Sequence, residues 1–129
     1  MRWLVDGMNV IGSRPDGWWR DRQAAMRRLV DQLERWATDG NDQVTVVFEA
    51  PPSDPIDCHA VEVAHASRAR PDAADDEILR RVEADPQPEA IQVVTSDRRL
   101  AERVRAAGAV ACPAGRFRAL LDGRDDPSV

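Results

Sequence analysis

The chain has 129 residues, 43% of them hydrophobic, which is enough for one domain with a proper core and too little for two. Its net charge of −5 argues at face value against a nucleic-acid partner, yet all 18 basic residues are Arg and there is no Lys. The missing Lys excludes a Walker A phosphate loop, a protein kinase and a Schiff-base enzyme. Arg, in contrast, binds phosphate bidentately and stacks on bases. No apolar run approaches the roughly 20 residues of a membrane span, and the N-terminus lacks a signal-peptide pattern. The expectation is a cytoplasmic protein with no membrane partner. Cys58 and Cys112 fit no C-x-x-C or zinc spacing and read as buried thiols.

The chain opens on Trp3-Leu4-Val5-Asp6-Gly7-Met8-Asn9, an apolar run that stops at a carboxylate. A buried strand ending there sets Asp6 at the rim of a sheet. Gly7 lets the chain turn sharply and lets a ligand approach the backbone. Asn9, three residues on, can reach the same pocket. Ser13 to Trp19 reads as a loop, and Arg20 to Thr38 as a helix with Ala24, Leu29, Val30, Leu33 and Trp36 near helical spacing. Gln43 to Phe48 is β-branched and apolar, a second buried strand, ending in Glu49. A proline-rich break leads to a shorter, more peripheral strand over Ala60 to Ala66, followed by a polar loop with Arg68 and Arg70.

Asp72 reads as the N-cap of a second helix, running to about Ala84, that carries Asp75, Asp76 and Glu77 in its first turn. Ala90 to Thr95 is a fourth strand, ending at Ser96-Asp97. Arg98 to Ala107 is a helix with Gly108 as its C′ residue. Ala109 to Cys112 is a fifth strand and Ala114 to Leu121 a last helix. Residues 1–122 form the domain, and residues 123–129 a flexible tail. Alternating strands and helices give an α/β fold with a mainly parallel sheet and right-handed crossovers. The order 3-2-1-4-5 puts strands 1 and 4 side by side, so that Asp6 and Asp97 become neighbours at the crevice where open α/β sheets bind ligands.

Several carboxylates at one rim repel unless protonated or bridged by a cation. A hard cation such as Mg²⁺ or Mn²⁺ takes oxygen ligands and keeps several waters, so two or three carboxylates suffice. Such an ion activates water and steadies the charge of a phosphodiester displacement. Asn9 and Ser96 are placed to orient the water or the ligands. Each acid also has a plainer role. Asp72 serves as a cap, Glu49 as a solvated strand end, Glu77 as a helix-face charge, and Asp97 as the N-cap of the helix that follows. His59 and His65, beside the third strand, read as surface or structural groups. No Ser-His-Asp or Cys-His pattern supports a nucleophilic serine or thiol.

Three motifs stand in order: Val5-Asp6-Gly7-Met8-Asn9-Val10-Ile11, Ala74-Asp75-Asp76-Glu77-Ile78 and Val93-Val94-Thr95-Ser96-Asp97-Arg98-Arg99-Leu100. Together they resemble the NYN domain of the PIN-like nuclease superfamily, in its YacP-like branch, over nearly the whole chain. The resemblance implies a PIN-like three-layer α/β/α sandwich and metal-dependent endoribonuclease chemistry. It makes Asp6, Asp75 and Asp97 the metal-binding acids, Asp76 an additional ligand, and Asn9 and Ser96 the polar members of the site. The chain departs from the pattern at the end of its second strand, where Glu49-Ala50 stands in place of Asp-Gly.

RNA is the expected partner, with ribosome association and a homodimer left open. Arg14, Trp18, Trp19 and Arg20 in the first loop, Arg68 and Arg70 before the acidic helix, and Arg98 and Arg99 beside Asp97 all fall at the carboxyl rim. Aromatics beside Arg stack bases and bind phosphates. One of Trp18 and Trp19 is expected in the core. The runs Arg27-Arg28 and Arg80-Arg81 read as solvated helix faces. The alternative is a weak or inactive RNA- or ribosome-binding module of the same fold. A haloacid-dehalogenase-like phosphatase would need Asp-x-Asp after strand 1, where Met8 stands.

Overall fold

A computed structural model describes residues 2–14, 16–40, 42–56, 58–66 and 73–125. Strand β1 (Arg2–Asp6) runs straight into a short helix, α1 (Gly7–Ile11), and a 3-10 turn over Trp18–Arg20 precedes the long helix α2 (Arg22–Gly40). There follow β2 (Gln43–Phe48), β3 (Val61–His65), α3 (Ala73–Ala84), a second 3-10 turn (Pro88–Ala90), β4 (Ile91–Val94), α4 (Arg98–Ala106), β5 (Val110–Cys112) and α5 (Ala114–Asp125). The strands form one sheet in the order β3-β2-β1-β4-β5, and all four pairings are parallel. This is the order expected from the strand-ending acids.

The three inner strands are covered on both faces and therefore read as near-continuous apolar runs, broken only at Thr45 and Gln92, rather than as alternation. Val5, Val46, Val47, Val93 and Val94 are fully buried. Helices α1, α2 and α5 cover one face, where Trp3, Leu29, Leu33, Trp36, Phe117 and Leu121 pack together. Trp3 meets Trp36 edge-on at 5.1 Å and Phe117 at 5.3 Å. Helices α3 and α4 cover the other face through Ile78, Val82, Leu100 and Val104, against Leu4, Val47 and Val93. The result is a three-layer sandwich. Among the described residues, no helix is long and apolar enough to cross a membrane.

Two boundaries differ from the sequence reading for local reasons. Helix α2 starts at Arg22 and not at Arg20, because Trp18–Arg20 closes a separate 3-10 turn. Asp21 then accepts a hydrogen bond from the Ala24 N–H at 3.0 Å, as an N-cap does. Helix α5 continues past Leu121 to Asp125. Asp122 anchors that turn by accepting from Arg14 and, at 3.4 Å, from Gln32. Gly108 follows α4 with φ +102°, the left-handed conformation that the C′ position asks of it.

The long connection from β2 to β3 is tied to α2. Gln23 accepts from the Ser53 N–H at 2.7 Å and donates to the Asp54 carbonyl at 3.2 Å. Glu34 accepts from the N–H groups of His59, Ala60 and Val61 at 2.7, 2.7 and 3.0 Å.

Candidate active site

Asp6 stands at the last position of β1, next to β4 in the sheet, and is only 7% exposed. The turn from β1 into α1 depends on Gly7. A Cβ there would come within 2.5 Å of Cε1 and 2.7 Å of Cδ1 of Phe48. The absent side chain therefore serves close packing of α1 on β2, beside the sharp turn expected of Gly7.

Beyond β4, Thr95 keeps to the sheet for one more residue, donating its N–H to the Cys112 carbonyl at 3.0 Å. The Thr95 side chain is 2% exposed; its hydroxyl donates to Asp6 Oδ2 at 3.0 Å and accepts from the Asp97 N–H at 3.1 Å. One hydroxyl thus links the two acids, and its role was missed in the sequence. The signal was a hydroxyl side chain at the last buried position of a strand, just before Ser96-Asp97. Asp97 caps α4, accepting from the Leu100 N–H at 3.1 Å. Capping uses one of its carboxylate oxygens, so the capping role and a ligand role coexist. Asn9 Oδ1 accepts from the Ser96 N–H at 2.7 Å, and Ser96 Oγ accepts from the Ala114 N–H at 2.9 Å. Asn9 and Ser96 therefore tie α1, the β4–α4 turn and the start of α5 into one frame.

The electrostatics follow from this placement. Burial, the largest effect, pushes the Asp6 carboxyl up to about 7; the Thr95 hydroxyl and the Asn9 backbone N–H hold it back, while the charges of Asp75 and Asp97 drive it further up. Among the described residues no Arg or His forms an ion pair with Asp6. Asp75 is thus the α3 acid that acts on Asp6. Asp76 instead lines a groove on the outer side of α3, beside Leu79, Arg80 and, from α4, Arg103. Glu77 accepts from Arg80 and Arg81, with Arg81 Nε at 2.7 Å, and stands as a paired helix-face charge. Glu49 is half-buried at the end of β2. Among the described residues, no three His, Cys, Asp or Glu side chains are grouped so as to hold a metal ion. The charges of Asp75 and Asp97 act on Asp6 through space without the three forming a ready-made ligand cage. The donor set still suits a hard cation, which needs only two or three carboxylates and completes its shell with water.

The expected RNA contacts fall into two groups. Arg98 and Arg99 are exposed on the first turn of α4, directly after Asp97. Arg14 is exposed and paired with Asp122; Arg20 is exposed at the end of its 3-10 turn. Trp18 packs partly into the core with the Arg22 guanidinium 5.5 Å from its ring centre, whereas Trp19 is 52% exposed. Arg68, Arg70 and Asp72 lie outside the described residues.

A parallel sheet in the order 3-2-1-4-5, with Asp6 ending its central strand and Asp97 following the neighbouring β4, is a PIN-like, nuclease-type fold. The chain belongs to the YacP-like NYN domain family, whose profile matches residues 3–126. Its fold is similar to the crystal structure of Rae1 (YacP) from Bacillus subtilis, with a TM-score of 0.81 and 24% identity over 97% of this chain and 75% of that one. The structure of a tryptophan-to-leucine mutant of the same protein matches with a TM-score of 0.81 and 23% identity, covering 97% and 76%. At these identities the likeness speaks for the fold alone. No curated protein matches the sequence.

Proposed function

We propose that the chain is a metal-dependent endoribonuclease that hydrolyses RNA phosphodiester bonds at the Asp6 rim. The observation that carries this reading is the state of Asp6. It is a carboxylate buried at a strand end, linked to Asp97 through Thr95 and lifted to about 7 with no basic partner among the described residues. A buried acid facing two further acids asks for a cation. Asp6, Asp75 and Asp97 would hold Mg²⁺ or Mn²⁺. When bound, that ion supplies activation of water and neutralisation of the charge that develops on the phosphodiester.

The protein's own part is positioning. Thr95 fixes the orientation of Asp6 by donating to one carboxylate oxygen, and its second bond sets the start of α4. Asn9 and Ser96 brace the turn that presents Asp97. Arg98 and Arg99 are exposed next to that acid, where they can meet backbone phosphates.

The test is cleavage of a mixed labelled RNA pool by the purified protein with Mn²⁺, with Mg²⁺ and with EDTA, beside Asp6→Asn combined with Asp97→Asn. Asn is itself a good N-cap, so the second substitution spares α4. The expected result is metal-dependent cutting that the double variant loses by at least about a thousandfold while its circular dichroism is unchanged. Full activity in the double variant overturns the assignment. Metal binding without turnover moves the weight to a non-cutting RNA-binding module.

A further inference from the structure

A second feature lies at the other end of α1 from Asp6. Between α1, the Trp18–Arg20 turn, α2 and α5 there is a pocket of about 360 Å³. Ile11 and Trp18 line its apolar side. Arg28 and Arg35 from α2 and Arg118 from α5 line it with positive charge, against Asp16 and Asp31. Arg118 is the central group. Its side chain is 16% exposed, and one guanidinium nitrogen donates to the Val10 carbonyl at 3.2 Å. The other terminal nitrogen lies 3.7 Å from Asp16, too far for a hydrogen bond, and Nε is buried without an acceptor. A buried donor left without a partner needs an explanation. Arg28 is exposed on the pocket wall and makes no ion pair among the described residues. Burial and the neighbouring charges of Arg14 and Arg28 all disfavour the Arg118 charge, and Asp16 offsets them only in part.

Three guanidinium groups around one concave site, one of them incompletely paired, match the chemistry of a phosphate, which Arg binds with paired N–H donors. We propose that this pocket is a backbone-phosphate subsite for the RNA strand, separate from the acidic rim. The proposal rests on the ribonuclease reading for the identity of the strand. Helix α1 is the spacer between the two sites. Its five residues span about 7.5 Å at 1.5 Å per residue, which is on the order of two nucleotides of a stacked strand. A phosphate held at Arg28 and Arg118 would therefore fix the register of a strand whose scissile bond lies at Asp6. Trp19, more than half exposed and edge-on to the pocket-lining Trp18 at 5.9 Å, offers an open aromatic face for a base beside the subsite.

The test compares Arg28→Glu with Arg27→Glu, in binding of a short fluorescein-labelled oligouridine to the whole chain in EDTA, across a salt series. Both residues are exposed on α2 and both changes alter the charge equally, but Arg27 does not line the pocket. The expected result is that Arg28→Glu weakens binding about five- to tenfold and lowers the slope of log affinity against log salt by about one. Arg27→Glu should change affinity less than about twofold. Equal losses in the two variants overturn the subsite, as does an unmutated chain that does not bind the oligouridine. So does inorganic phosphate that binds as tightly as the RNA, since the pocket would then be a site for free phosphate compounds. Cleavage measured on the same two variants separates the readings. Metal-dependent cutting that both retain alike leaves the nuclease standing without the subsite. Arg28-dependent binding without cutting leaves the subsite standing without the nuclease.

Discussion

Asp6 and Glu34 are both carboxylates set against the core, and the fold treats them in opposite ways. Burial would push Glu34 up, yet the N–H groups of Ala60, His59 and Val61 outweigh it and hold the carboxyl below its ordinary value. Asp6 receives one hydroxyl and one facing amide, is surrounded by the charges of Asp75 and Asp97, and rises to about 7. Other structural acids resemble Glu34. Asp85 is lowered by its hydrogen bond to Arg2, and Glu77 by Arg80 and Arg81. Where an acid holds the architecture together, the chain supplies donors or cations for it. At the rim the chain supplies more acids, and this contrast separates a strut from a site awaiting a positive charge.

The largest effect that can break this contrast is Asp6→Asn in metal-free protein. The native carboxyl titrates near 7 against an ordinary 3.8, so between those values the native state keeps a proton that the unfolded state has released. Stability from this group is full below about pH 4 and is lost as pH rises through 7. Asp6→Asn should therefore stabilise the fold in EDTA at pH 8, by up to about 4 kcal/mol, and by nothing near pH 4. Urea unfolding across that range checks it, and parallel pH profiles for the two proteins would sink the account of Asp6. Saturating Mn²⁺ should reverse the ranking at pH 8, because only the carboxylate gains from the ion.

Thr95→Val comes next. It removes the hydroxyl bond to Asp6 and leaves the Asp97 N–H without an acceptor, at a cost of about 1–3 kcal/mol. Thr95→Ser should restore most of that. The valine variant should also shift the Asp6 titration upward, visible in carboxyl chemical shifts.

Glu34→Gln sharpens the other side of the comparison. The amide oxygen can still accept, but only one oxygen remains for three donors, and the loss should be about 1 kcal/mol in chemical unfolding. A silent Glu34→Gln would mean that the β2–β3 connection holds itself. The smallest effect is expected for Arg80→Ala. Arg80 is 64% exposed and Glu77 keeps its bond to Arg81, so stability should stay within about 0.5 kcal/mol.

The sheet order was legible because each inner strand is an apolar run closed by a polar residue, and because acids ending strands 1 and 4 make sense only side by side. The frame around the acids was less legible. Asn9 and Ser96 were identifiable as polar members of the rim, but that they bond to each other and to the start of α5 depends on where a distant helix begins. Thr95 was hidden because β-branched residues are ordinary in strands. Gly7 was legible as the residue of a sharp turn, but its packing role was not, since the atoms its Cβ would meet belong to Phe48, 41 positions away in the chain. The arginine pocket was invisible in the sequence. Arg28 and Arg35 share a face of α2, but their meeting with Arg118 is set by how α5 crosses α1.

The division of the four tryptophans has an optical consequence. Trp3 and Trp36 are buried against each other, while Trp18 and Trp19 sit together beside the arginine pocket, and the chain contains no Tyr. Its near-ultraviolet emission therefore comes from two indole pairs. One is shielded from aqueous quenchers until the core opens, and the other is open to them through Trp19. Collisional quenching should resolve the two in a single sample, so the integrity of the core and events at the pocket mouth can be followed together without any added label.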